Sequence, residues 1–279
     1  MSFFDRMSNG WALGMTSLKT IWENKKLLVF PALSGIALVA VCLSFFGGAF
    51  AIFGRDFEAF FNRLEETNEI LLYAILFAFY LVSYFIIVFF NVALVHCARL
   101  IFAGQEATIK EGLNYSGSRI VSIGSWAILA ATVGVILKFL EDRLGWLGQI
   151  VIGIIGMVWS IATFFVVPIL AYEDLGPIDA LKRSGAMMKE KWGESIGANF
   201  SFGVFYLLGY FFIVIAAIAL FFVHPILAIV SAVLAALLLH TVVSASKTVF
   251  IAATYNHMTD KPAGRFDDDQ MLDSLFLVK

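Results

Sequence analysis

The sequence is poor in charge, in cysteine and in proline. Only 14% of its 279 residues are Asp, Glu, Lys or Arg, where a soluble domain carries about 25%. The remainder is 61% apolar, with a mean hydropathy of +0.89. That balance excludes a soluble globular protein and places the surplus apolar surface in a bilayer. The net charge of −2 leaves no basis for nucleic-acid binding through bulk charge. The two cysteines, Cys42 and Cys97, lie at different depths of two apolar runs and make a poor disulfide pair. A cleavable leader is not expected, because the first apolar run begins only at Leu27 and is too long for one.

Three familiar site signatures are absent as well. There is no G-x-x-x-x-G-K-[ST], H-E-x-x-H or C-x-x-C. The four histidines, His96, His224, His240 and His257, are too scattered to mark a metal site by spacing. Neither a metal nor another cofactor is expected, and the chain is read as a non-enzyme. No apolar run holds an acidic residue at depth, which argues against a proton-coupled carboxylate carrier.

Six apolar runs are present, at about 27–53, 70–95, 120–137, 147–172, 195–223 and 226–257. Each is near the ~20 residues that a helix needs to cross hydrocarbon. Residues 1–26 form an N-terminal interfacial segment, 27–258 the six-span domain and 259–279 a polar tail.

Shorter amphipathic stretches precede every odd-numbered span. In residues 3–23, Phe4, Met7, Trp11, Met15, Leu18 and Trp22 recur at three- and four-residue steps. Thr108 with Glu111 forms a capping box that starts a second helix, over 108–119. Gly176-Pro177 opens a third, over 177–192, with Pro at its favoured first position. Its apolar face reads Ile178, Leu181, Gly185, Met188 and Trp192, and its charged face Lys182, Arg183, Lys189 and Glu190. Leu113–Gly117 and Leu181–Gly185 share L-x-x-S-G, the pattern of a unit of one surface helix plus two spans used three times. A further surface helix is expected around Phe57–Leu64. In span 4, Gly148, Gly153, Gly156 and Ser160 would let a neighbouring helix come close.

Charge placement sets the orientation. With six spans, fifteen Lys and Arg fall on the side of the termini and four on the other. The positive-inside rule then puts both termini in the cytoplasm. The expected fold is therefore all-α, with six transmembrane helices and short amphipathic cytoplasmic helices before spans 1, 3 and 5.

Two sets of candidate functional residues follow. His240, Ser244 and Lys247 share one face of span 6, and Asn91 lies near the inner end of span 2. Buried polar groups in spans mark pathways or helix contacts. Lys182, Arg183, Lys189, Lys191 and Trp192 are placed to meet lipid headgroups or a partner. Glu173-Asp174 reads as the interfacial end of span 4.

The stretch V-V-P-I-L-A-Y-E-D-L-G-P-I-D-A-L-K-R-S, Val166–Ser184, resembles the equivalent part of the glycerophosphodiesterase-type membrane domain. The opening Trp11…Trp22-Glu23-Asn24-Lys25-Lys26-Leu27-Leu28-Val29-Phe30-Pro31 and the close Ala253-Thr254-Tyr255…Arg265-Phe266-Asp267 are similar to a prokaryotic six-span family of unknown function in that broad group. The resemblance implies a fold and a bacterial or archaeal plasma membrane, not an activity. The expected function is that of a lipid-interacting or scaffolding component, with membrane lipids, a second copy or another membrane protein as partners. The alternative is a small-solute or ion channel or transporter using the polar face of span 6.

Overall fold

The computed structural model describes residues 3–56, 64, 67–192 and 197–268. Among them there is no strand, and the order of elements is helical throughout. Helix α1 is Phe3–Glu23, α2 Val29–Cys42, α3 Gly48–Phe53, α4 Glu69–Phe102, α5 Ile109–Ser118 and α6 Ile120–Ala162. Then come α7 Val166–Tyr172, α8 Pro177–Trp192, α9 Gly197–Phe221, α10 Pro225–Met258 and α11 Arg265–Asp268.

Six helical stretches are long and apolar enough to cross a membrane: Lys25–Gly47, Glu69–Phe102, Ile120–Gly145, Gly148–Tyr172, Phe202–Phe221 and Pro225–Met258. That is the pattern of a multi-pass membrane protein. The predicted surface helix near 57–64 lies outside the described residues, Leu64 excepted.

Three local results have clear causes. Residues 138–146, between the third and fourth apolar runs, are helix up to a break at Gly145. Lys138 reaches Asp142 at 2.8 Å and Glu141 at 3.6 Å, one turn on, which holds that last stretch in register. Gly145 then turns the chain at φ 58°, ψ −153°, a conformation open almost only to glycine.

Span 4 is interrupted at residues 163–165. Pro168 causes this, since its ring collides with the carbonyl four residues back, at Phe164, and it donates no hydrogen bond. Thr163 Oγ1 turns back to the Trp159 carbonyl at 2.8 Å.

Among the described residues, no neighbouring helix meets the glycines of span 4. A methyl group built on Gly153 or Gly156 would meet nothing within 4 Å, and one on Gly148 only Leu144 of the preceding turn.

The chain forms two compact units. Unit 1 holds residues 1–32, 93–112 and 187–279. Here α1 packs against α9 and α10. Gly14 lets the Phe205 ring lie directly on α1, where a Cβ would come within 2.5 Å of it, and Trp11 stacks on the same ring at 4.6 Å. The tail is tied back by an Arg265–Glu23 ion pair at 2.8 Å and an Asn256 Nδ2 bond to the Pro262 carbonyl at 2.8 Å. Asp267 accepts from the Ala263 amide at 2.6 Å.

Unit 2 holds residues 33–92 and 113–186. Trp126 of span 3 and Trp159 of span 4 stack at 5.9 Å, and Gly134 lies under the Tyr80 ring. At the far end of the spans Arg143 grips Glu69 with two bonds, of 2.7 and 2.8 Å.

Within each unit the buried side chains gather at one end of the spans, the end adjoining α1, α5 and α8. In unit 1 these include Phe30, Val95, Val249 and Phe250, with Ala228 an exception at the other end. In unit 2 they include Ile123, Ala127, Phe165 and Ile169. The opposite halves of the spans are largely bare, as at Ile70, Met157, Leu207 and Leu238.

Candidate functional site

The three short helices α1, α5 and α8 bury a face built on small side chains. In α1 it is Leu13, Gly14, Ser17 and Ile21, in α5 Gly112 and Ser116, and in α8 Ala180, Ser184, Met187 and Met188. This differs in part from the apolar stripes expected from spacing, of which Met188 is buried as expected. The bulky stripe of α1 points outward, with Trp11 41%, Met15 46% and Trp22 58% exposed. In α8, Ile178 is exposed while Ala180 is fully buried. Small residues win the inner face because they bring helix backbones together.

Ser17, Ser116 and Ser184 are each fully buried. They sit at matching places, four residues after Leu13, Gly112 and Ala180. Ser17 Oγ bonds back to the Leu13 carbonyl of its own helix at 2.9 Å. Ser116 Oγ donates to the Phe89 carbonyl of span 2 at 2.8 Å. Ser184 Oγ accepts from the Phe165 amide at 3.0 Å, the group set free by the break in span 4. In α5 and α8 the serine thus ties the surface helix to the span that precedes it.

The predicted polar face on span 6 stands on α10. His240 and Lys247 are exposed, and Ser244 is half-buried. His240 Nδ1 lies 3.3 Å from Tyr206 Oη of α9, a partner the sequence reading did not name. Asn91, half-buried, belongs to unit 2, whereas these three belong to unit 1.

Two of the four cations of α8 are engaged within unit 2. Lys182 is 3.3 Å from Asp179, and Arg183 Nε is 3.3 Å from Glu173. Asp174 meets Arg119 at 3.4 Å. Glu173-Asp174 therefore clasp the flanking helices rather than face each other as a catalytic pair. Lys189 is exposed, and the side chains of Lys191 and Trp192 lie outside the described residues.

A cavity of about 590 Å³ opens in unit 1 where span 1 begins. Trp22 at the end of α1, Lys25 and Lys26 at the start of span 1, and Gln105, Glu106 and Thr108 from the stretch before α5 all line it. Leu27, Phe30 and Cys97, each 1% exposed, form its apolar base. Lys25 Nζ sits 5.9 Å above the Trp22 ring. Thr108 Oγ1 accepts from the Glu111 amide at 3.2 Å and so starts α5 at the cavity edge. The size is that of a small-molecule site. No spacing in the sequence brings residues 97–109 beside Lys25 and Lys26.

Among the described residues, no cluster of three His, Cys, Asp or Glu is placed to hold a metal. Residues 70–265 match the profile of a family of unknown function, DUF6159. The chain belongs to DUF6159. The matched region takes in the Val166–Ser184 motif and the closing Ala253–Arg265 stretch, while α1 and the two lysines of the cavity precede it. No curated protein matches the chain. Membership of DUF6159 therefore brings no activity with it, and the functional reading rests on this chain's own surfaces.

Proposed function

We propose that this DUF6159 member is a non-enzymatic component of a bacterial or archaeal plasma membrane that works by binding lipid, alone or as a scaffold for a second copy or another membrane protein. Both termini and the helices α1, α5 and α8 lie on the cytoplasmic side, by the fifteen-to-four division of Lys and Arg. Kinship with the glycerophosphodiesterase-type membrane domain is part of the proposal and stands on the Val166–Ser184 motif.

The observation that carries the reading is the double face of α1. Leu13 and Ile21 bury into the protein, while Met15 and Trp22 stay exposed and Trp11, stacked on Phe205, keeps its outer part exposed. An indole-rich outer face on a helix that does not cross the bilayer suits the headgroup layer. The test is purification of the full chain in native lipid, with lipid extracted and counted. Replacing Trp11 and Trp22 by Ala lowers the retained lipid. A wild-type protein that keeps no lipid and neither self-associates nor holds a partner rules the reading out.

A second reading is favoured by one observation. Tyr206 extends the His240–Ser244–Lys247 face onto a neighbouring span, as a polar path for a small solute or ion would need. Flux through reconstituted vesicles that is unchanged by His240→Ala and Lys247→Ala removes it.

A further inference from the structure

The cavity at the start of span 1 is amphiphilic. Its lining joins the exposed Lys25 and Lys26 to the buried Leu27 and Phe30 and the half-buried Ile101. Of the two acids in its lining, Glu23 is already engaged by Arg265 at 2.8 Å. That leaves Glu106 facing two ammonium groups, an excess of positive charge. The indole of Trp22 under Lys25 shields one side of that ammonium from water, which strengthens its pull on an anion. Thr108 and Gln105 add polar side chains to the lining.

A free anion would have use for the lysines but none for the apolar base. A neutral lipid would have use for the base and leave the lysines idle. A molecule with a phosphate joined to glycerol and acyl carbons satisfies both, and basic pockets between membrane helices recognise headgroups in this way. We propose that this cavity binds the phosphate of a membrane phospholipid, with Lys25 and Lys26 as counter-ions and the Leu27–Phe30–Ile101 wall taking the glycerol and the first methylenes. The proposal deepens the lipid-binding reading above and rests on it.

The test uses the full chain in neutral detergent, titrated with short-chain phosphatidylglycerol, the matching diacylglycerol and inorganic phosphate, and read by native mass spectrometry. Phosphatidylglycerol binds, and diacylglycerol, lacking the phosphate, does not. The double variant Lys25→Gln/Lys26→Gln loses roughly tenfold or more in affinity, the size expected for two lysines at a headgroup. Lys25→Arg/Lys26→Arg keeps the binding. Ile101→Trp, which fills the base without touching charge, also abolishes it. Unchanged binding in the double Gln variant or in Ile101→Trp overturns the assignment. So does inorganic phosphate that competes as well as the lipid does, because the site would then be one for a free anion. Lipid that still co-purifies while the cavity variants bind phosphatidylglycerol normally refutes the cavity alone. A wild-type chain that retains no lipid at all refutes the broader reading.

Discussion

The amide of Phe165 donates a 3.0 Å hydrogen bond to Ser184 Oγ, nineteen residues further along the chain. Both residues are fully buried. Pro168 breaks span 4 and frees that amide, and α8 arrives with a hydroxyl to receive it. Ser184→Ala removes this buried hydrogen bond, which costs about 0.5–1.5 kcal/mol. Thermal unfolding in lipid nanodiscs checks this. Pro168→Ala allows the helix to run on and recapture its own amide. The cost of Ser184→Ala should then shrink in the double variant, as a double-mutant cycle measures.

Gly112 sits where α5 meets the start of span 1 and the end of span 2. A Cβ there would come 2.7 Å from Cys97 Sγ, 2.8 Å from Phe30 Cζ and 3.1 Å from the Ala93 carbonyl. Gly112→Ala should destabilise by about 1–3 kcal/mol, the usual penalty for overpacking. Unfolding against a denaturant detects it, and a neutral result would show that α5 yields freely at this point.

Gly145 carries the turn between spans 3 and 4 at φ 58°, ψ −153°. Nothing lies within 4 Å of a Cβ built there, so the effect of Gly145→Ala is purely conformational. A strain of about 1–3 kcal/mol is expected. Measured stability equal to wild type would mean that the turn can be made another way.

Tyr206 and His240 meet at 3.3 Å across the hairpin of spans 5 and 6. Coupling between such side chains in a membrane averages about 0.6 kcal/mol. A cycle of Tyr206→Phe and His240→Phe should return a value of that order. If the pair also serves a solute path, the same variants lower flux. Coupling without any change in flux assigns the pair to helix packing.

Much of the fold could be read from the residues. Gly176-Pro177 and Thr108 mark helix starts that the structure places at Pro177 and Ile109, and the six apolar runs emerge as six spans. Which face of α1 and α8 turns inward was not legible from hydrophobicity. Gly14, Ser17, Ala180 and Ser184 decide it by letting helices approach, and their short side chains carry little apolar weight. The Tyr206–His240 pair did leave a trace, since both stand at nearly equal distances from the His224-Pro225 turn. Helices joined by so short a connection pair residues that way. The cavity left none, because Lys25 and Thr108 are brought together by the packing of α5 and not by any spacing along the chain.

The uneven placement of buried side chains has a mechanical consequence. Helices α4 and α10 each run 34 residues, or about 51 Å, well beyond ~30 Å of hydrocarbon. Their interlocked ends carry the tight packing, and their other ends rely on acyl chains for neighbours. Stripping the annular lipid would therefore loosen the far end of the spans first within each unit, at Gly145 in one and at Pro225 in the other. Amide deuteration would spread from those ends, in unit 2 toward Ser116 and Ser184, which would surrender their protons last.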